Sequence, residues 1–450
     1  MMSTLMRAPG AALLAVALIF VPVAAKAFDI QRVISPGGIE AWLVEDHSLP
    51  IVSAQFMFPG GAATDPAGKE GLANMVSGLL DEGAGDLDSQ AFQSRLADQS
   101  ISLSFSASLD GFSGRMKTLT RNRDEAFGLL RLAVTAPRFE AQAVARIRAQ
   151  ILTGLAAGAN DPDRIAQQTF REAVFGDHPY SRPITGTSES VGAIAETDLR
   201  TFVTRRLARS ELIMGVVGDV TAAELGVLLD STFGDLPERA EAFTIPQVEP
   251  GGAGEMIVVE RDNPQSRVVF GHRGVARDDP DYYAALVLNH VLGGGSFTSR
   301  LYNEVREKRG LAYSVFSYLL PLEKAALWMG GAGTENSAVA QSIDLIRGQW
   351  ANVQEFAVSQ NELDRAKANL IGSFGLRFDN TSSIAGTLVA VQFRDLGIEY
   401  LNRRNDLIEA VQLDDVRRVA ERILDPAALT VVVVGKPEGL AASRTVADGG

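Results

Sequence analysis

The sequence predicts an α+β sandwich built twice within one chain of 450 residues. Three observations lead there. A strand-like run at Ile51 to Phe58, a Gly60-Gly61 turn, an Asp65-Pro66 step and a helix with Leu72, Met75, Val76 and Leu79 are matched further on. There Val268 to Phe270, Gly274, Asp279-Pro280 and a helix with Ala285, Leu288, Val291 and Leu292 come in the same order. Pro50 pairs with Pro264 and Pro66 with Pro280 at one shared offset. Each half also closes on a buried strand that ends at glycine, in the runs Glu211 to Asp219 and Leu429 to Lys436. Within each half strands come early and late and helices fill the middle, an order that argues against a doubly wound parallel sheet.

The chain opens with features of a secretory leader. Arg7 is followed by an apolar run from Ala11 to Ala24, and Ala25-Lys26-Ala27 fits a small-x-small cleavage site. Residues 1–27 are therefore expected to be a signal peptide, which directs the chain to the periplasm, and no later segment is long and apolar enough to span a bilayer. An apolar share of 46% with 22% charged residues suits globular domains with real cores rather than disorder. The absence of cysteine excludes disulfides and thiolate metal sites. Acidic residues outnumber basic ones by 55 to 42, and loss of Arg7 and Lys26 with the leader moves the net charge from −13 to −15. That sign argues against nucleic-acid or anionic-membrane partners.

In the first half, residues 28–240, helical periodicity covers Ser89 to Gln99, Arg121 to Thr135 and Ala141 to Leu155. His178, in FGDHPYSRPITGT, precedes a proline and has no second histidine near it, which favours a turn role over a ligand role. The stretch from Pro237 to Gly254 is rich in Pro, Gly, Ala and Glu and reads as a linker, assigned to 241–255. The second half is assigned to 256–440 and a flexible tail to 441–450.

The most informative stretch lies in that second half, Gly293 to Tyr318. Three glycines permit unusual backbone angles, Ser296 is placed to cap a helix, and Phe297, Leu301 and Val305 form one apolar stripe. Gly310 ends the helix. A period of two then sets Leu311, Tyr313 and Val315 on one strand face and Ala312, Ser314 and Phe316 on the other. Arg306 and Tyr313 are brought together across a tight connection. Read locally, Arg306 complements a helix C-terminus and Tyr313 is a rim residue.

The setting SRLYNEVREKRGLAYSV, with its R-x6-Y spacing, resembles the substrate-binding arginine and tyrosine of the pitrilysin, or insulinase-like, zinc peptidase family. The resemblance spans about Val44 to Gly435. It implies two homologous domains, each a largely antiparallel sheet with helices packed on one side, together forming half of a clamshell. Active members of that family carry an inverted zinc motif, H-x-x-E-H, on a helix of the first domain. The matching frame AGKEGLANMVSGLLDEG places Asn74 and Gly78 at the histidine positions and Ser77 at the glutamate position. The distal glutamate frame, QILTGLAAGANDP, holds Thr153 and Gly154. These side chains supply neither ligands nor a base. The four histidines, His47, His178, His272 and His290, show no i, i+3 or i+4 pair, so no metal is expected in this chain.

By resemblance, then, the chain is expected to be the noncatalytic subunit of a heterodimeric periplasmic zinc metallopeptidase. Arg306 and Tyr313 would bind the peptide substrate while a homologous partner carrying the zinc motif supplies the metal, and the chain alone would not be an active metallopeptidase. The alternative is a catalytically inactive peptidase-fold scaffold or polypeptide-binding protein. No G-x-S-x-G elbow or P-loop is present to support an autonomous hydrolase of another class.

Overall fold

The computed structural model describes residues 29–446, so the expected signal peptide lies outside the described residues. The strands of the first half are β1 (Gln31–Ile34), β2 (Glu40–Glu45), β3 (Ile51–Pro59), β4 (Ser102–Ala107), β5 (Gly111–Leu119) and β6 (Ile213–Gly218). Those of the second are β7 (Met256–Glu260), β8 (Gln265–Arg273), β9 (Ala312–Pro321), β10 (Ala326–Glu335), β11 (Thr430–Gly435) and β12 (Arg444–Val446). They form two six-stranded sheets, ordered β1-β2-β6-β3-β5-β4 and β12-β7-β11-β8-β10-β9.

The duplication is visible strand by strand. In each sheet β3 or β8 lies at the centre, antiparallel to β5 or β10 on one side and to the late strand β6 or β11 on the other, which runs parallel to β2 or β7. The sheets differ at one edge. There β1 pairs antiparallel with β2, whereas β12 pairs parallel with β7. Residues 444–446, expected to be part of a flexible tail, are thus an edge strand. Their side chains are all exposed, so no apolar alternation marked them in the sequence.

Alternation along β3 sends Val52, Ala54, Phe56 and Phe58 into the first core, where Phe56 meets Phe233 edge to face. Along β8, Val268 and Phe270 enter the second core with Trp328 and Trp350. Helices of the same half complete each core: Arg123–Thr135 and Ala222–Phe233 in the first, Val339–Phe356 and Leu413–Ile423 in the second.

The other face of each sheet is not left to solvent. Helix Pro162–Phe175 of the first half lays Ala166, Phe170 and Val174 on Ile257, Val269 and Val432 of the second sheet. In return helix Thr381–Phe393 of the second half packs Ile384, Ala385 and Leu388 on Trp42, Val44 and Val217 of the first. This crossing explains why β11 reads TVVVVG without alternation, since both of its faces are buried. It depends on glycine at two contacts. A Cβ on Gly215 of β6 would lie 2.7 Å from the Ala385 carbonyl oxygen, and one on Gly271 of β8 would lie 2.8 Å from the Trp328 oxygen and 2.9 Å from the Phe170 ring. The expected linker, 241–255, has no regular secondary structure, yet it is tied down on both sides. Val248 N–H donates to Lys324 O at 3.0 Å, and Gly251 N–H to Val174 O at 2.7 Å.

Candidate functional site

The segment around Arg306 is less regular than its sequence suggests. Helix Tyr282–Asn289 runs into a π turn at His290–Gly294, a 3₁₀ turn at Ser296–Thr298, and a second π segment at Tyr302–Glu307. The three glycines do not take left-handed angles; Ser296 does, with φ 47°. Gly293 is needed for closeness instead, because a Cβ there would fall 2.5 Å from Ser317 N. Ser296 is therefore not the helix cap. That place goes to Ser299, whose Oγ accepts from Tyr302 N–H at 3.4 Å and donates to Ser296 O at 2.9 Å. Leu301 and Val305 are fully buried as expected, but Phe297 lies in the 3₁₀ turn, 71% exposed, outside the stripe.

The next strand changes phase. Gly333 pairs with Ser314 and Thr334 with Ala312, so Tyr313 has no cross-strand partner and forms a β-bulge. The extra residue turns Ala312 and Val315 inward and leaves Tyr313 facing out with Phe316 and Tyr318. The expected face-sharing of Tyr313 with Val315 is thereby corrected. The bulge leaves Tyr313 76% exposed on the edge strand of its sheet.

Arg306 and Tyr313 do come together. The Arg306 guanidinium lies 4.9 Å from the Tyr302 ring centroid and 5.5 Å from that of Tyr313, held between two aromatic faces. Its neighbours in sequence are neutralised. Arg300 Nε donates to Glu362 at 2.7 Å, Arg309 Nη1 to Glu304 at 2.7 Å, and Lys308 also pairs with Glu304. Arg306 has no carboxylate partner among the described residues, so its N–H donors are not committed to a helix end or an ion pair. With Tyr302, Tyr313, Glu307 and Glu335 it lines an open hollow of about 400 Å³. The arrangement offers a planar cationic donor and a phenolic hydroxyl, suited to a neutral carbonyl oxygen rather than an anion, since Glu307 and Glu335 share the hollow. Tyr302 was missed in the sequence, although it stands four residues before Arg306 on one helical face.

The metal positions hold nothing that binds zinc. Asn74 and Ser77 lie on helix Leu72–Ser77, where Ser77 Oγ donates to Asn74 O at 2.8 Å. Gly78 ends that helix, and a Cβ there would come within 3.3 Å of Ile147 Cγ2. Thr153 Oγ1 is turned back to Ala149 O at 2.8 Å. At Gly154 the carbonyl accepts from Arg164 Nη1 at 3.3 Å, while Arg164 Nη2 donates to Thr185 Oγ1 at 2.9 Å. A Cβ on Gly154 would meet nothing within 4 Å, so neither position of this frame presents a ligand side chain. Among the described residues there is no group of three or more His, Asp or Glu able to hold a metal ion, and these residues do not fit zinc.

Three of the four histidines make side-chain hydrogen bonds within the fold. His178 caps the turn Pro179–Ser181, its Nδ1 accepting from Tyr180 N–H at 3.2 Å, which leaves Nε2–H to donate to Pro246 O at 2.9 Å. Buried His272 accepts from Trp350 Nε1 at 2.9 Å, and burial pushes its imidazole down to about 4. His47 is paired with Asp219 at 2.7 Å, which raises its pKa, and His290 is lowered by burial.

Comparison with known proteins points one way. Residues 193–370 match the family model described as Peptidase M16 inactive domain. A non-peptidase homolog, YmxG, of Helicobacter pylori is 27% identical over 373 residues, covering 83% of this chain and 86% of that protein. An uncharacterized zinc protease of Streptomyces coelicolor is 30% identical over 290 residues, with 62% of this chain and 61% of that protein covered. Among solved structures, the peptidase M16 inactive domain from Pseudomonas fluorescens superposes with a TM-score of 0.85 at 26% identity, over 92% of this chain and 99% of that one.

Proposed function

Because the chain is a member of the M16 family, the pitrilysin or insulinase-like peptidases, and lacks the inverted zinc motif, we propose that it is the noncatalytic, substrate-binding subunit of a heterodimeric periplasmic zinc metallopeptidase. The observation that carries this reading is the uncommitted Arg306 guanidinium beside the exposed Tyr313 hydroxyl. A degenerate scaffold has no need of a cation held between two rings without a counter-ion. A peptide carbonyl placed in the hollow would accept from Arg306 and Tyr313, and the edge strand β9 beside Tyr313 would offer main-chain donors and acceptors to an extended chain. The zinc would reside in a homologous partner that retains H-x-x-E-H. Export to the periplasm rests on the leader-like residues 1–27.

The test is reconstitution with the zinc-motif homologue and assay on one peptide. Arg306→Ala and Tyr313→Phe should each leave the complex intact and lower turnover on the order of a hundredfold, the usual loss for one oxyanion-type donor. Tyr313→Phe keeps the ring under Arg306 and so isolates the hydroxyl. Wild-type turnover in both variants, or failure of the two chains to associate, would replace this reading with that of an inactive scaffold.

A further inference from the structure

A second cavity, of about 460 Å³, lies where the two halves meet. Its walls come from the Ser108–Asp110 turn, helix Pro162–Phe175, strands β9 and β10, and helix Thr381–Phe393, so it exists only because the helices cross between halves. Its volume falls within the roughly 300–1,000 Å³ of ordinary small-ligand pockets. Most of the lining is apolar, including Leu109, Phe175, Leu320, Leu327, Met329 and Phe393.

The charges in that lining do not cancel. Asp110 is spent: Oδ1 accepts from the Tyr180 hydroxyl at 2.5 Å and Oδ2 from Glu323 N–H at 3.0 Å. Arg171 donates Nη2 to Gln168 Oε1 at 2.7 Å, but its Nε is buried without a partner and no carboxylate pairs with it among the described residues. Arg394 stacks on Phe393 at 5.1 Å and likewise has no carboxylate partner there. A guanidinium stays charged when desolvated and prefers a planar anion that takes two N–H bonds at once. Burial therefore raises the worth of a carboxylate delivered to Arg171.

We propose that this cavity binds a single-chain aliphatic carboxylate, its head on Arg171 with Arg394 at the mouth and its chain against Leu109, Leu327 and Met329. A peptide fits less well. Its buried amides would find few donors or acceptors on these walls and would lose their water without replacement. The site is independent of the Arg306 and Tyr313 hollow and of any peptidase role.

Calorimetric titration of the full chain with dodecanoate, octanoate, dodecanol and an apolar decapeptide tests it. Dodecanoate should bind one to one, and each methylene removed should weaken binding about fourfold. Dodecanol should bind at least tenfold more weakly, and Arg171→Gln should weaken dodecanoate by a similar factor while leaving dodecanol unchanged. Ala390→Trp, at an exposed position on the lining, should block the cavity without touching the core. If Arg171→Gln does not fold, Arg394→Gln and Ala390→Trp carry the same test. The proposal is overturned if the wild-type chain does not bind dodecanoate, if dodecanol binds as tightly, if the decapeptide binds more tightly and competes, or if Ala390→Trp leaves binding unchanged.

Discussion

Helix Leu72–Ser77 after β3 and the helical run from Tyr282 after β8 occupy matched places in the two halves, each entered through an Asp-Pro step. The first ends after six residues at Gly78, and the side chains it offers, Asn74 and Ser77, are a weak amide and a hydroxyl turned back on its own backbone. The second continues through two π segments and ends with Arg306 clamped between tyrosines. π segments insert a residue into the helical ladder and re-aim the side chains beyond it, and they occur often at functional sites. The contrast teaches that a duplicated scaffold preserves places, not chemistry. One copy keeps the fold with no ligand or base on its helix, while the other holds a charged group in an irregular local backbone.

The largest effect that sharpens this contrast lies within the second half. Leu301→Ala, which removes a fully buried side chain beneath the π segment, should cost about 4 kcal/mol of stability, whereas Tyr313→Ala at its exposed bulge should cost about 0.5 kcal/mol. Equal losses in chemical denaturation would mean that Tyr313 is a core residue and the contrast is false. Next come the glycines of the crossing contacts. Gly215→Val and Gly271→Val should each lower stability by about 3 kcal/mol and shift one common unfolding transition, because each change strains a contact shared by both halves. Two separable calorimetric transitions, only one of them shifted, would show halves that fold independently.

A smaller effect distinguishes matched core positions. His272 stands in β8 where Phe58 stands in β3. Its pKa is about 4 in the folded protein against the ordinary 6.5, so between those values the unfolded chain binds the extra proton. The stability it allows is complete above pH 6.5 and falls as the pH drops, by roughly 2 kcal/mol at pH 5 and further towards pH 4. In His272→Phe that slope should be absent; an unchanged pH profile would show that other groups set it. The smallest effect concerns the ion pair between Arg267 of the second half and Asp163 of the crossing helix, 3.2 Å apart and largely exposed. Arg267→Ala should cost about 0.5 kcal/mol or less, and a loss above roughly 2 kcal/mol would mean that charge rather than apolar packing joins the halves.

The repeat was legible because β3 and β8 keep the same length and the same relation to their prolines, Pro50 with Pro264 and Pro66 with Pro280. The crossing helices were not. Thr381–Phe393 distributes Ile384, Ala385, Leu388, Val389 and Val391 around its circumference, and periodicity says nothing about which sheet an apolar helix will meet. At the site, the proximity of Arg306 and Tyr313 came from their spacing across one tight turn. The bulge did not, since no glycine or proline at Tyr313 or Ser314 announces it, and it put Tyr313 and Val315 on opposite faces. Arg164 at Gly154 was equally hidden, because it approaches from a different helix.

The exchange of helices also orders the chain's maturation in time. β6 is finished at Gly218, but Trp42, Val44 and Val217 gain their cover only when residues 381–393 are in place. During synthesis from the N-terminus, the first half therefore carries an open apolar sheet face until most of the second half has emerged. Its final packing waits on contacts of long sequence separation, which form slowly. A truncated product ending in the linker would be an aggregation-prone intermediate, and commitment to the native state belongs to the complete chain.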